Sequence, residues 1–511
     1  MANNATKIET GADYIASLRN RELKIFLLGE LIDEPVDHPI IRPSINAVAA
    51  TYDLAQSNPD IATALSPFTG ERVNRFLHIA ESPEDLINQN KMQRRLGQLT
   101  GTCFQRCVGM DALNSLFSVT YEIDEQHSTN YHQLLKDFIG MTQSKGYVIG
   151  GAMTDVKGDR SKAPHEQADQ DMYLHVTKRT EAGVYVTGAK AHQTGCINSH
   201  WLLVMPTIRL GEADKDFALV GAIPVDADGI TYIYGRQSCD TRSADGDIDA
   251  GNAQFAGQEA MIVFDNVFIP HDKIFMNGEH DFAAMLVERF TCYHRRSYVC
   301  KSGVGDVLIG AAATVAEYNG VERASHIKDK LVEMTHLNET IYSTGIAASY
   351  QASKTRSGAY LADEMLANVC KHHVTKMPYE LSRLAQDLAG GLMVTLPSEA
   401  DMKHPEAGPL IEKYLQGRAD IPTENRVRIL RLIENMTLGR NAVGYLTESM
   451  HGAGSPQAQR IQIGRAMQLD YKKQLARALA GIPSETATVL EASIDNYFGR
   501  VFAVKSPETT K

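Results

Sequence analysis

The runs Gly183-Val-Tyr-Val-Thr-Gly188, Trp201-Leu-Leu-Val-Met205, Phe217-Ala-Leu-Val-Gly-Ala-Ile-Pro224 and Ala260-Met-Ile-Val-Phe-Asp-Asn-Val-Phe-Ile-Pro270 decide the fold. Each is short and rich in β-branched and aromatic residues, and Gly, Pro or Asp separates it from the next. Met172-Tyr-Leu-His-Val176 and Ile230-Thr-Tyr-Ile-Tyr234 belong to the same series. Closely spaced strands with turn residues between them predict an antiparallel barrel or sandwich over residues 148–284.

The flanks have a different texture. From residue 12 to about 145 the apolar spacing is helical. One helix opens at Ala12-Asp-Tyr-Ile-Ala-Ser-Leu18, and a second runs from Ile45 after the breaker His38-Pro-Ile-Ile-Arg-Pro43. A third begins at Pro83, a favourable early position for proline. Beyond residue 285 the stretches Val304–Tyr318, Ala324–Tyr350, Tyr360–Leu392 and Asn425–Met450 read as long helices, and the tail from Lys505 reads as frayed. The expected class is α+β: an N-terminal helical domain (1–147), a central antiparallel β-barrel domain (148–284) and a C-terminal helix bundle (285–511). That order resembles the acyl-CoA dehydrogenase architecture, in which flavin lies between the domains. Likeness of fold alone assigns no chemistry.

Composition narrows the function classes. A net charge of −11 argues against a nucleic-acid or membrane-surface partner. No apolar run reads as long enough to cross a bilayer, and the N-terminus lacks a secretory pattern. The 7 cysteines are odd in number and scattered, which fits a reducing cytoplasm better than a disulfide framework.

Two segments concentrate metal ligands: Cys103-Phe-Gln-Arg-Cys107 and His294-Arg-Arg-Ser-Tyr-Val-Cys300. On a helix Cys103 and Cys107 would stand one turn apart on one face. Three thiols and an imidazole suit zinc or an iron–sulfur cluster, not magnesium or calcium. The alternative is that the cysteines are small core residues, since their spacing matches no standard zinc or ferredoxin motif.

Other segments are candidates for a cofactor edge. Gly151-Ala-Met153-Thr154-Asp155-Val-Lys-Gly-Asp-Arg160 sets permissive glycines beside hydroxyl and charged groups, or is a surface loop. Ala189-Lys-Ala-His192-Gln193-Thr194-Gly is too polar for a strand interior, so it reads as a donor-rich segment or a solvated hairpin end. Asp387-Leu-Ala-Gly390-Gly391 ends a helix, where free N–H groups could take a phosphate or simply form a cap. Glu448 precedes the flexible loop Gly452-Ala-Gly454 and Glu259 opens a β run. Either carboxylate is a candidate acid or base, or a solvated side chain. No Gly-x-Gly-x-x-Gly follows a strand, which argues against a Rossmann site.

Taken together these segments resemble the 4-hydroxybutyryl-CoA dehydratase/vinylacetyl-CoA isomerase family, itself related to the flavin-dependent 4-hydroxyphenylacetate 3-monooxygenases. The resemblance rests on Cys103-Phe-Gln-Arg-Cys107-Val-Gly-Met-Asp-Ala, Lys190-Ala-His-Gln-Thr-Gly, Tyr-Gly-Arg236-Gln-Ser-Cys-Asp-Thr-Arg, Tyr293-His-Arg and Glu448-Ser-Met-His-Gly-Ala-Gly-Ser-Pro-Gln-Ala-Gln-Arg460. The family's second ligand segment reads Ser-Tyr-Gly-Gly-Cys-Lys, whereas Ser297-Tyr-Val-Cys300-Lys301 is one residue shorter. Cys300 is the natural match, with Cys292 in reserve.

The resemblance implies radical dehydration of 4-hydroxybutyryl-CoA to crotonyl-CoA, with activity on other C4 acyl-CoA thioesters such as vinylacetyl-CoA. It implies FAD and a [4Fe–4S] cluster held by Cys103, Cys107, His294 and Cys300. Glu259, Tyr298, Lys301 and Glu448 would line the substrate site, with His294 as ligand and base. Met153, Thr154, Asp155, Arg160, His192, Gln193, Thr194, Gly390 and Gly391 would hold FAD, in a cytoplasmic homotetramer that oxygen inactivates. Two rival readings are an FADH2-dependent aromatic monooxygenase with structural cysteines, and a zinc-stabilised helical protein without flavin.

Overall fold

The computed structural model describes residues 7–236 and 246–482. Most of the Arg236–Arg242 motif and the C-terminal tail lie outside those residues. After the short helix Gly11–Ser17 and two short strands come the helices Arg42–Ser57, Pro83–Thr100, Cys107–His127 and Tyr131–Lys145. Two sheets follow, then the helices Ala283–Ser297, Cys300–Tyr318, Ser325–Tyr350, Glu364–Val374, Met377–Ala389 and Thr423–Thr437.

The larger sheet has six strands, in the order Glu30–Ile32, Lys24–Leu27, Ile230–Tyr234, Glu259–Pro270, Gly183–Thr194 and His175–Arg179. The smaller has four: Ile274–Asn277, Leu219–Pro224, Trp201–Val204 and Ile149–Ala152. Neither closes on itself, so the expected barrel is not seen among the described residues. Val184, Ile262 and Phe264 from one sheet and Leu202, Ile223 and Ile274 from the other share one apolar core, the arrangement of a two-layer sandwich. The sheets are also not purely antiparallel. Lys24–Leu27 pairs in parallel with Ile230–Tyr234, and Ile149–Ala152 with Trp201–Val204. Strands drawn from the helical N-terminal segment therefore complete the large sheet.

The polar run Lys190–Thr194, expected to lie outside a strand, continues the strand from Gly183. Its inward residues are buried but satisfied. Lys190 Nζ donates to Asp155 Oδ1 at 2.5 Å and to the Met153 and Met205 carbonyls at 3.1 and 2.8 Å. Gln193 accepts from Met153 N at 3.0 Å and donates to the Thr154 carbonyl at 2.9 Å. A paired polar group costs little in a strand; an unpaired one costs a great deal. Register then sets Thr194 directly opposite Glu259.

Close packing brings the ligand-bearing helices together. A Cβ on Gly97 would lie 2.5 Å from the Cys300 carbonyl oxygen, and one on Gly303 only 2.0 Å from that of Arg94. Only glycine allows Pro83–Thr100 and Cys300–Tyr318 to approach this closely. Arg296, fully buried, ties Ala283–Ser297 to the same helix through the Leu86 carbonyl and the Asn90 and Gln89 side chains, each at 2.8 Å.

By length and composition, His280–Tyr318 is apolar enough to cross a bilayer, contrary to the reading of the sequence. It is two helices, Ala283–Ser297 and Cys300–Tyr318, and 61% of its most apolar window is buried within the protein. Tyr360–Leu392 likewise divides, into the helices Glu364–Val374 and Met377–Ala389, with Pro378 in the first turn of the second.

Candidate functional site

Cys103, Cys107, His294 and Cys300 line one small cavity of about 40 Å³. They reach it from two directions. Cys107 is the first residue of Cys107–His127 and Cys300 the first of Cys300–Tyr318, while His294 stands near the end of Ala283–Ser297. Cys103 is not helical, as a one-turn spacing would require; it lies in the loop before Cys107, where Gln105 takes a left-handed φ of 68°. Cys292 lines neither this cavity nor its larger neighbour.

Among the described residues no three His, Cys, Asp or Glu side chains converge tightly enough for a single metal ion. The donors surround a space instead of a point. Burial pushes the Cys103 thiol up to about 12 and Cys107 well above its ordinary value. Cys300 moves the other way, because the Cys107 thiol donates to it and Lys301 lies close. Such thiols become ligands when a bound cation stabilises the thiolates.

Groups behind the ligands orient them. His294 Nδ1 lies 2.8 Å from Asp111 Oδ2, which leaves Nε2 as the ring nitrogen without a protein partner among the described residues. Ser297 Oγ donates to the other Asp111 oxygen at 3.0 Å. Gln93 Nε2 lies 3.3 Å from Cys107 Sγ. Reading the sequence singled out neither Asp111 nor Gln93 for a role. The available signal was helical spacing, because Asp111 follows Cys107 by one turn on the same face.

A charged cluster forms the next wall. Tyr298 donates its phenol to Glu448 Oε1 at 2.8 Å, and Lys301 Nζ reaches Glu448 Oε2 at 3.1 Å and the Gly444 carbonyl at 2.7 Å. Glu448 follows a π-helical turn, Val443–Thr447, a local distortion frequent at functional sites. Burial opposes its charge, but Lys301 and Lys371 outweigh that and hold the carboxylate at about 2. Burial lowers Lys371 to about 7. Glu259 shows the opposite behaviour to Glu448. Burial, and then the Glu448 charge, raise it well above the carboxylate range, and Thr194 Oγ1 donates to it at 2.7 Å.

Thr194, His294, Tyr298 and Glu448 also line a second cavity of about 610 Å³. Met153, Thr154, Arg160, His192 and Gln193 face it, together with the loop Gly452–Ser455. Asp155 does not; its carboxylate is buried against Lys190 and the Thr207 hydroxyl. The Gly390-Gly391 turn lines neither cavity and is exposed at the end of Met377–Ala389.

Two family models cover nearly the whole chain: the 4-hydroxyphenylacetate 3-hydroxylase N-terminal region matches residues 10–276 and its C-terminal region residues 283–481. A 4-hydroxybutyryl-CoA dehydratase/vinylacetyl-CoA-Δ-isomerase from Clostridium aminobutyricum is 55% identical over 93% of this chain and 99% of its own. An oxygen-tolerant archaeal 4-hydroxybutyryl-CoA dehydratase from N. maritimus has a solved structure that is 68% identical, with TM-score 0.93 over 98% of this chain and all of that one. The FAD complex of a 4-hydroxyphenylacetate 3-monooxygenase oxygenase component shares the fold at TM-score 0.82 and 20% identity, over 95% of this chain and all of its own. The chain belongs to the 4-hydroxyphenylacetate 3-hydroxylase family and, within it, to the 4-hydroxybutyryl-CoA dehydratase/vinylacetyl-CoA isomerase group.

Proposed function

We propose that this protein dehydrates 4-hydroxybutyryl-CoA to crotonyl-CoA and isomerises vinylacetyl-CoA, using FAD and a [4Fe–4S] cluster. The observation that carries the reading is one cavity lined by Cys103, Cys107, His294 and Cys300 and walled by Tyr298, Lys301 and Glu448. Identity of 55% and 68% to proteins named as this dehydratase supports it. The matching monooxygenases are far more distant, at about 24%.

The donor set fits the cluster. Three thiols and an imidazole around a space supply four soft or borderline ligands, and Gln93 directs an N–H toward one sulfur. The larger cavity, with Met153, Thr154, Arg160, His192, Gln193 and Thr194 on its wall, would hold flavin and thioester. Asp155 would act indirectly, by holding Lys190 and the strand. Gly390 and Gly391 could serve only at a subunit boundary in the proposed homotetramer. When bound, FAD supplies one-electron redox chemistry and the cluster a Lewis-acidic iron, which together make the unactivated β hydrogen removable.

The side chains supply proton handling and orientation. Glu448 is held ionised and Glu259 protonated, two carboxyl groups whose environments drive them apart, as in an acid–base pair. Glu448 would take or steer a proton at Oε1 or Oε2, and Glu259 would keep its proton beside Thr194. His294 offers Nε2 alone, as ligand or base, because Nδ1 is committed to Asp111. The six cysteines described are all unpaired, in keeping with a cytoplasmic location. The N. maritimus relative is described as oxygen tolerant, so rapid loss of activity in oxygen is not expected of a chain 68% identical to it.

The test is turnover. Purified protein loaded with FAD and iron should convert 4-hydroxybutyryl-CoA to crotonyl-CoA without consuming oxygen or NAD. Oxygen-dependent hydroxylation of a phenol with reduced flavin, and no action on the thioester, would establish the monooxygenase reading instead.

A further inference from the structure

Lys371 is fully buried near the end of the helix Glu364–Val374, and among the described residues no carboxylate forms an ion pair with it. Its Nζ donates to the Ser449 carbonyl and lies 3.6 Å from the centre of the Tyr298 ring. Tyr298 in turn donates its phenol to Glu448 at 2.8 Å. One amino group, cationic up to about pH 7, therefore touches both the chain segment that carries Glu448 and the ring that binds the Glu448 carboxylate. Of the neighbouring cations, Lys301 stands farther from the Tyr298 ring, 5.7 Å from its centre. Lys301 binds the second Glu448 oxygen, and Arg295 binds Asn368 and the Ala453 carbonyl.

Burying an ammonium is costly, and a neutral side chain of similar length fills the same space at lower cost. A lysine retained here for packing alone would gain nothing from its charge. Charge is useful against an aromatic face and a backbone carbonyl, and both contacts strengthen without water. We propose that Lys371 is a positioning residue, which clamps the Tyr298 ring and the Ser449 carbonyl so that phenol and Glu448 carboxylate meet in one fixed geometry. The inference rests on the dehydratase reading of the site.

Lys371→Met and Lys371→Arg, made in the FAD- and iron-loaded protein, test it. In Lys371→Met, kcat on 4-hydroxybutyryl-CoA should fall about 10-fold or more while KM stays within about 2-fold, the mark of lost alignment without lost binding. The fold and both cofactors should be retained, and arginine should recover part of kcat. In a Glu448→Gln background the methionine change should cost less than about 2-fold, because the effect passes through Glu448. An unchanged kcat, additive losses with Glu448→Gln, or a methionine variant that does not fold would overturn the proposal. A wild type that leaves the thioester untouched overturns the dehydratase reading and the inference with it. An active wild type with an indifferent methionine variant overturns the inference alone.

Discussion

Asp111 Oδ2 lies 2.8 Å from His294 Nδ1, a contact between residues 183 positions apart. The carboxylate fixes which ring nitrogen carries the proton and turns Nε2 to the cavity that Cys103, Cys107 and Cys300 share. Partners behind a ligand typically contribute about 10-fold to 100-fold in metal affinity. Asp111→Asn should therefore fold and keep flavin, yet lose iron to a chelator at least about 10-fold faster than wild type. Equal iron retention would show that Asp111 does not hold the ligand.

Glu448 is bound by Tyr298 on one oxygen and Lys301 on the other. Glu448→Gln keeps the shape and removes the charge. Turnover should drop roughly 100-fold or more with both cofactors retained, the scale of a positioned proton-transfer group. Lys301→Met should be destabilising as well, because it leaves a buried carboxylate short of its closest cation. Near-normal turnover in Glu448→Gln would remove Glu448 from the chemistry.

Gly452 stands where no side chain fits. A Cβ there would fall 1.9 Å from the Tyr298 hydroxyl and 2.6 Å from Glu448 Oε1. Gly452→Ala must displace one of them, so kcat should fall at least about 10-fold with the fold intact. Gly464 provides the control, since a methyl group there would meet nothing within 4 Å, and Gly464→Ala should retain wild-type kcat. Matching kinetics for the two variants would contradict the geometry.

The raised Glu259 carboxyl sets a pH dependence. A group with a raised folded pKa is protonated below that value, and its contribution is lost as pH rises through it. Activity that needs the Glu259 proton should fall on the alkaline side as pH passes the raised value, and stability should decline below it, from the ordinary carboxylate range up to that value, where only the unfolded chain has lost the proton. Profiles of kcat/KM against pH check this: Glu259→Gln should flatten the alkaline limb. An unaltered limb would assign it to another group.

Much of the architecture was legible in local pattern. Short β-rich runs between helical flanks located both sheets, and glycine with proline marked most boundaries. That the sheets stay open was not legible, because pairing of Lys24–Leu27 with Ile230–Tyr234 joins segments some two hundred residues apart and leaves no local trace. Lys190–Thr194 misled for a physical reason: its polar side chains are satisfied by partners that only the fold supplies. The site divided the same way. Ligand types made Cys103, Cys107, His294 and Cys300 visible, whereas Asp111 sits in the quoted cysteine segment with nothing to mark its role, Gln93 and Lys371 belong to no quoted segment, and all three act through what they touch. Asp155 was chosen for its loop, but its carboxylate faces Lys190 and not the cavity.

The central claim is that Cys103, Cys107, His294 and Cys300 hold one iron–sulfur cluster beside a flavin. Iron, acid-labile sulfide and FAD measured on anaerobically purified protein test it most directly. The account predicts about four irons and four sulfides with one flavin per chain, and loss of the iron and sulfide in Cys107→Ala. Flavin without iron, zinc in its place, or a full cluster in Cys107→Ala would contradict it.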